Sequence, residues 1–298
     1  MTHSSTVVPP ERTRRASVGR MVDVREWSRA DTTRLLRVPG AEDDKYSRGV
    51  VALRTGSDAY PGAAVLGVEA AWRAGAGYVR FVGGDRAADA VIARRPETVA
   101  ARDVGRTRVD AWVIGSGTDA TAREPEETAV LRDILSGSVP VVVDAGALDL
   151  ATDATAPLVL TPHAGEFARL RELMGMRSGR DGDRSADVAE AAQLLGQVIL
   201  LKGATTLIAA PDGSVISVAS APGWLATAGA GDVLAGVLGA LLAAGAETAA
   251  AEIAAAAAWL HGHAAALASG AVAGSSGRPV VALDVAAALP AAIEDLLS

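Results

Sequence analysis

Short apolar runs recur along the middle of the chain, each closed by glycine or polar residues: "GVVALRTG", "YVRFVGG", "DAWVIGSG", "VPVVVDAG", "PLVLTP", "QVILLKG", "TTLIAAP" and "SVISVAS". Runs such as "VPVVVD" show no alternation of apolar and polar positions. A strand exposed on one face alternates with a period of two, so these runs predict strands covered on both faces. The intervening stretches are long enough for crossover helices, which predicts an α/β protein with a mostly parallel sheet. One pair differs: "TTLIAA" and "SVISVAS" flank Pro211-Asp212-Gly213-Ser214, a turn signal, and predict an antiparallel hairpin on one edge. Beyond residue 232 the chain becomes helical and alanine-rich, through "AAAEIAAAAAWLHGHAAALA" and "LDVAAALPAAIEDLLS". Alanine has the highest helix propensity and lets helices pack closely. Residues 1–20, rich in Ser, Thr, Pro and Arg without any period, predict a disordered tail. No linker or repeat divides residues 21–298, which are expected to form a single domain.

Composition narrows the partners. A net charge of -7 over 298 residues provides no global field for nucleic acid or anionic lipid, so a small molecule is the expected partner. The absence of cysteine excludes disulfides, thiolate catalysis and thiolate metal sites. The first residues carry charges but no apolar signal core, which makes a cytoplasmic location the expectation. Val233 to Ala246 is the most hydrophobic stretch; at about 14 residues it falls short of the roughly 20 that a membrane helix needs, and reads as a buried helix.

Ligands of open parallel sheets bind beyond the carboxyl ends of the strands. There the chain places "TGSDAYPGAA" (55–64), "GSGTD" (115–119), "DAGALD" (144–149), "TPHAGEF" (161–167) and "KGATT" (202–206). "GSGTDA" fits G-x-G-x-x-A, but it lies in mid-chain rather than in the first βα unit, so Gly115 and Gly117 read better as a close backbone turn than as a dinucleotide fingerprint. There is no P-loop. Lys202 reads either as an exposed strand end or as a cation beside a phosphate. His163 precedes a helix expected to start near Gly165, and is either structural or functional. His261 and His263, two apart on a helix, point to different sides and cannot chelate one metal together. Trp224 and Trp259 read as core or rim.

The stretch Gly229-Ala230-Gly231-Asp232 precedes a long apolar helix. Unpaired N–H groups and the helix dipole converge at such a point and suit a phosphate. Asp232 there could be a plain N-cap, or the carboxylate that takes a proton from an attacking hydroxyl while N–H donors stabilise a transferring phosphoryl group. A cap alone needs neither flanking glycine.

"AGAGDVLAGVLGALLAAG" resembles the G-x-G-D element of the ribokinase-like superfamily. The blocks at 45–80, "VIGSGT" (113–118), "PVVVDAGALDL" (140–150), "LTPHAGEFARL" (160–170), "VILLKGATTLIAAPDG" (198–213) and 225–245 resemble, more narrowly, the ADP- or ATP-dependent NAD(P)H-hydrate dehydratases, in the family's order over about residues 42–296. The resemblance implies a three-layer α/β/α sandwich and repair of hydrated NADH or NADPH at the expense of ADP or ATP, giving NAD(P)H, AMP and phosphate when ADP is the donor. It implies that Asp232 acts as base beside an anion hole at Gly229 and Gly231. Lys202, Gly203, Ala204, Thr205, Thr206 and Gly231 correspond to the adenosine-phosphate contacts. Ala63, Gly117, His163 and Asp232 correspond to contacts with the hydrated nicotinamide nucleotide. Mg²⁺ is expected, with no ligand set assigned. Family members often form tetramers, which would suit exposed alanine-rich helices, and a separate epimerase is expected as partner. Asp44-Lys45 stands where the family commonly has His-Lys, and Ala230 where it has Thr. The alternative is a ribokinase-like kinase for a thiazole, pyrimidine or sugar, using ATP.

Overall fold

All eight predicted runs form strands in the computed structural model, which describes residues 22–176, 183–245, 247–271 and 275–298; the tail expected over 1–20 lies outside them. In chain order the strands are β1 (Val24–Glu26), β2 (Val50–Arg54), β3 (Tyr78–Val82), β4 (Val99–Ala101), β5 (Ala111–Ile114), β6 (Val141–Val143), β7 (Leu158–Leu160), β8 (Val198–Leu201), β9 (Thr206–Ala209) and β10 (Val215–Val218). The helices are α1 (Arg29–Leu35), α2 (Pro61–Arg73), α3 (Asp85–Arg94), α4 (Pro125–Leu135), α5 (Ala164–Leu173), α6 (Arg184–Leu195), α7 (Ala230–Ala244), α8 (Ala250–Ser269) and α9 (Ala282–Leu297).

The strands form one ten-stranded sheet in the order β1-β10-β9-β8-β7-β6-β5-β2-β3-β4. Pairing is parallel except where β9 meets β8 and β10, the expected hairpin region. One strand lies outside that hairpin: β1 pairs parallel with β10, Val24 opposite Val215. It covers a row of backbone groups that an edge strand would leave unpaired. β1 and β4 are partly exposed and carry no continuous run of large apolar residues, which is why the pattern that marks the eight other strands does not mark them.

Successive side chains of a strand face opposite sides, and both sides are covered here. Val51, Leu53, Val113, Val142 and Val159 pack under α2, α3, α7, α8 and α9. Ala52, Ile114, Val141, Val143, Leu158 and Leu160 pack against α4, α5 and α6. The result is the expected three-layer sandwich, and it explains why "VPVVVD" does not alternate. The alanine-rich helix α8 lies inside rather than at the surface. Ala254 to Ala257 span a full turn and are fully buried, between the sheet and helices α7 and α9, because the small side chains let the helix approach its neighbours closely, so the idea that exposed alanine helices serve an assembly does not hold for α8. No described helix is long and apolar enough to cross a membrane.

The register aligns the strand ends. Arg54 lies opposite Ile114, Ile114 opposite Val143, and Val143 opposite Leu160. The next residues, Thr55, Gly115, Asp144 and Thr161, therefore form one row. The Lys202 N–H continues it, donating to the Pro162 carbonyl at 2.9 Å. Between β2 and β5 the following helices part to opposite faces, which opens the crevice where such sheets bind ligands.

Candidate active site

Helix α7 delivers its first turn to this row of strand ends. Gly229, not Asp232, is its N-cap. It has φ 85°, and a Cβ there would stand 2.5 Å from Leu66 Cδ1, so both conformation and space favour glycine. No side chain caps this helix start. The N–H groups of Gly231 and Asp232 have no backbone acceptor among the described residues. They form an open anion cradle of the kind a helix N-terminus offers. Asp232 follows in the first turn, half-buried and without a hydrogen-bond partner among the described residues. Burial pushes its pKa up to about 6, the charge of Asp144 adds to the rise, and Lys202 opposes it. The capping alternative for Asp232 is thereby removed: the position is taken, and the carboxylate bonds no N–H group.

Lys202, at the end of β8, stands beside this cradle. Its Nζ lies 3.5 Å from where a Cβ on Gly231 would sit, 2.8 Å from Asp144 Oδ1 and 3.8 Å from Glu166 Oε2. The reading of Lys202 as a solvent-exposed strand end therefore fails: it is half-buried and ion-paired. Gly203, Ala204 and Thr205 form the exposed turn between β8 and β9, and Thr206 opens β9. Arg184, at the start of α6, lies over this turn and donates to the Thr205 carbonyl at 3.3 Å.

His163 is the N-cap of α5, which starts at Ala164. Its Nδ1 accepts the N–H groups of Gly165 and Glu166 at 3.0 and 3.3 Å, while the Glu166 carboxylate accepts the His163 N–H at 2.8 Å. The histidine is thus structural, yet its side chain is 56% exposed at the same sheet edge and open to a ligand. Across the crevice, Gly117 (φ 68°) rests directly on Ala63: a Cβ on Gly117 would overlap that of Ala63. These two residues sit where β2 and β5 diverge. An apolar cavity of about 200 Å³ among Leu36, Leu241, Ile253 and Ile293 lies at the far end of α7 and contains no candidate residue.

Sequence reasoning missed Asp144, Ser116, Thr161 and Glu166. Asp144, 3% exposed, accepts Ser116 Oγ at 2.9 Å and Thr161 Oγ1 at 2.8 Å in addition to Lys202. The available signal was an acid closing the all-apolar run "VPVVVD". Of the two helix histidines, His261 is buried with Nε2 unpartnered, whereas His263 pairs with Asp295 at 2.8 Å. Trp224 lies at the surface, donating to the Ser276 carbonyl, and Trp259 packs against the core beside His263.

The family model described as NAD(P)H-hydrate dehydratase, Carb_kinase, matches residues 51–277. The chain belongs to the NAD(P)H-hydrate dehydratase family. Within this family it is 40% identical to the ADP-dependent (S)-NAD(P)H-hydrate dehydratase of Neisseria meningitidis, over 76% of this chain and 79% of that protein. It is 44% identical to the bifunctional NAD(P)H-hydrate repair enzyme Nnr of Mycobacterium leprae over 75% of this chain. The match spans about half of that bifunctional protein, 47% of its length. The fold is similar to a crystal structure of the ADP/ATP-dependent NAD(P)H-hydrate dehydratase of Bacillus subtilis co-crystallized with ATP/Mg²⁺, with a TM-score of 0.79, 28% identity, and coverage of 92% of this chain and 99% of that one. The dehydratase-family match begins at β2 and includes every residue discussed around the cradle.

Proposed function

We propose that the protein is an ADP-dependent (S)-NAD(P)H-hydrate dehydratase. The observation that carries the reading is the meeting of three features at the start of α7: N–H groups of Gly231 and Asp232 with no backbone acceptor among the described residues, a carboxylate on Asp232 with a pKa near 6, and the Lys202 ammonium beside them. That set suits transfer of a phosphoryl group to a hydroxyl, with charge developing where the donors point and the proton leaving to the carboxylate. The names of the Neisseria and Bacillus relatives supply the substrate class and the nucleotide.

In this reading Lys202, Gly203, Ala204, Thr205, Thr206 and Gly231 receive the nucleotide phosphates. Ala63, Gly117 and His163 face the hydrated nicotinamide ring. Asp232 removes the proton from the ring hydroxyl; its oxygen forms a bond to the β-phosphorus of ADP as the bond to the α,β-bridging oxygen breaks and AMP leaves. The ring nitrogen then donates its lone pair, the carbon–oxygen bond breaks, and phosphate departs. Loss of a proton from the neighbouring ring carbon restores the double bond of NADH or NADPH. Hydroxide is a poor leaving group and phosphate a good one, which is why the step needs a nucleotide.

Among the described residues no group of three His, Asp or Glu side chains gathers that could hold a metal ion. Asp144, an acid beside the cradle, is already engaged by Lys202 and two hydroxyls. Magnesium prefers phosphate and water ligands, and in this reading it enters with the nucleotide. A single domain over residues 21–298 and a homotetrameric assembly belong to the same proposal.

The test is incubation with hydrated NADH or NADPH and ADP, following recovery of the reduced-nicotinamide absorbance and release of AMP and phosphate. No recovery with either ADP or ATP would overturn the reading. ATP-dependent phosphorylation of a thiazole, pyrimidine or sugar, with the phosphate retained on the product, would establish the kinase alternative instead.

A further inference from the structure

Two buried carboxylates among the described residues take no part in the proposed mechanism, Glu69 and Asp144, and of the two Asp144 stands beside the cradle. Asp144 closes β6, and groups from four strand ends surround it: Ser116 after β5, its own backbone after β6, Thr161 after β7 and Lys202 after β8. Ser116 Oγ donates to Oδ2 at 2.9 Å, while Thr161 Oγ1 and Lys202 Nζ both reach Oδ1 at 2.8 Å. The next residue, Ala145, has φ 43°, the one left-handed non-glycine among the described residues. Such a conformation persists only where its surroundings hold it, and it turns the chain away directly after the carboxylate. Structural ion pairs gain little from burial, because desolvation offsets the attraction. A buried pair this firmly held, beside an anion cradle and a lone carboxylate, suggests a task for its charge.

We propose that Asp144 is a positioning residue that holds the Lys202 ammonium against the first turn of α7 and, through its fixed negative charge, sets the pH range in which Asp232 is the working base. The geometry gives each part. Lys202 Nζ bridges from Asp144 to within 3.5 Å of the Cβ position of Gly231, so its ammonium is placed before a phosphate arrives. Preorganised charge costs no rearrangement at the moment of reaction. A negative charge near a half-buried carboxylate holds its proton on, and a positive charge releases it.

Other groups around α7 do not take this part. From α5, Glu166 stands 3.8 Å from Lys202 and bonds the His163 N–H. From α8, His261 is held neutral: burial and then the charge of Lys202 push its pKa down to about 4. On α2 the charged residues are Glu69 and Arg73, tied to each other, with Glu69 also held by Arg94 and Arg95. On α9, Asp284 accepts the Val281 N–H at that helix's own start.

The experiment follows the Asp232 carboxyl by carbon-13 NMR in protein labelled at aspartate, its resonance assigned by its loss in Asp232→Asn. In Asp144→Asn the midpoint moves down from near pH 6, and in Lys202→Met it moves up. A downward movement of one unit, from about 6 to about 5, raises the ionised fraction of Asp232 at pH 5 about fivefold, from about one tenth to about one half. An unmoved or raised midpoint in folded Asp144→Asn overturns the charge role. Should Asp144→Asn not fold, an unmoved midpoint in Lys202→Met overturns it equally, since Asp144 acts beside that cation. The double variant Ser116→Ala, Thr161→Val keeps the Asp144 charge but frees the carboxylate; its Kd for ADP by calorimetry rises several-fold, and an unchanged Kd overturns the positioning role. The affinity measurement rests on the dehydratase reading, whereas the titration does not. Absent turnover with moving midpoints would therefore count against that reading alone, and normal turnover with fixed midpoints against this inference alone.

Discussion

Replacing Asp232 with asparagine should make the protein more stable while removing its activity. Burial and Asp144 raise the Asp232 pKa from an ordinary 3.8 to about 6. The folded chain therefore binds this proton more tightly than the unfolded chain, and ionising Asp232 costs stability. The cost is absent below about pH 4, grows between pH 4 and 6, and is complete above pH 6. A shift of about two units corresponds to about 3 kcal/mol at roughly 1.4 kcal/mol per unit. Asp232 also lies in the first turn of α7, where the helix dipole favours a negative charge by about 0.3–1 kcal/mol. The net gain on losing the charge is then about 2 kcal/mol, or about 4 °C in Tm for a chain of this size. Thermal unfolding of both proteins at pH 8 and pH 4, followed by circular dichroism, measures it. The variant should melt higher at pH 8 and level with the parent at pH 4, and its turnover should fall by about 10²–10⁴ if the carboxylate is the general base. A variant that melts lower at pH 8 would refute the reasoning, because it would mean that Asp232 serves the helix rather than the chemistry.

In the parent protein kcat/KM should rise with pH through about 6 as Asp232 ionises, leaving about one tenth of the plateau at pH 5; a flat profile from pH 5 to 8 would exclude it as the base. His163→Ala should lose the α5 cap and about 1 kcal/mol of stability, whereas His163→Asn restores a capping side chain; if both raise KM for the hydrate equally, the ring contacts substrate, and an unchanged KM in both limits His163 to capping. Gly117→Ala places a Cβ onto Ala63 at φ 68°, so Tm should fall by the equivalent of about 1–3 kcal/mol with a raised KM for the hydrate. Glu69→Gln tests a charge remote from the cradle. Glu69 is fully buried, which by itself would raise its pKa, but Arg95, Arg73 and Arg94 outweigh burial and hold it down to about 2. Its stabilisation is present above its ordinary value of 4.5 and is lost as pH falls toward 2; with the partly exposed arginines screened by solvent, urea unfolding should show a deficit of about 2 kcal/mol at pH 7 that narrows in acid.

The strands and their stacking were legible because burial on both faces writes continuous apolar runs into a chain. The alanine-rich helices were legible for a related reason, although their place inside the sandwich was not. Helix propensity reports the conformation and says nothing of the neighbour. At the cradle, Gly229, Gly231, Asp232 and Lys202 stood out because their types are unusual beside apolar strands and helices. Asp144 did not stand out, since its three partners are 28, 17 and 58 residues away along the chain. Only the alignment of Ile114, Val143 and Leu160 in the sheet brings them together. His163 shows the opposite case: its type and place in "TPHAGEF" marked it, while its capping bonds to Gly165 and Glu166 could not be seen before the start of α5 was known.

The two readings of Asp232 also differ in what they leave for a ligand. Had the aspartate been the N-cap, its carboxylate would have accepted the first-turn N–H groups and closed the cradle to any phosphate. Gly229 takes the cap position in a left-handed conformation and brings no side chain to those groups. The same substitution of glycine for a capping acid therefore does two things: it leaves N–H donors open toward Lys202, and it places the carboxylate one turn further in, where burial raises its pKa. An anion site and a base of suitable strength thus arise together from one local choice. Filling the cap position with an acid tests that coupling: Gly229→Asp should block nucleotide binding in calorimetry and also lower Tm, because a Cβ at φ 85° meets Leu66 Cδ1 at 2.5 Å, and retained ADP affinity would show that the open N–H groups are not the phosphate contact.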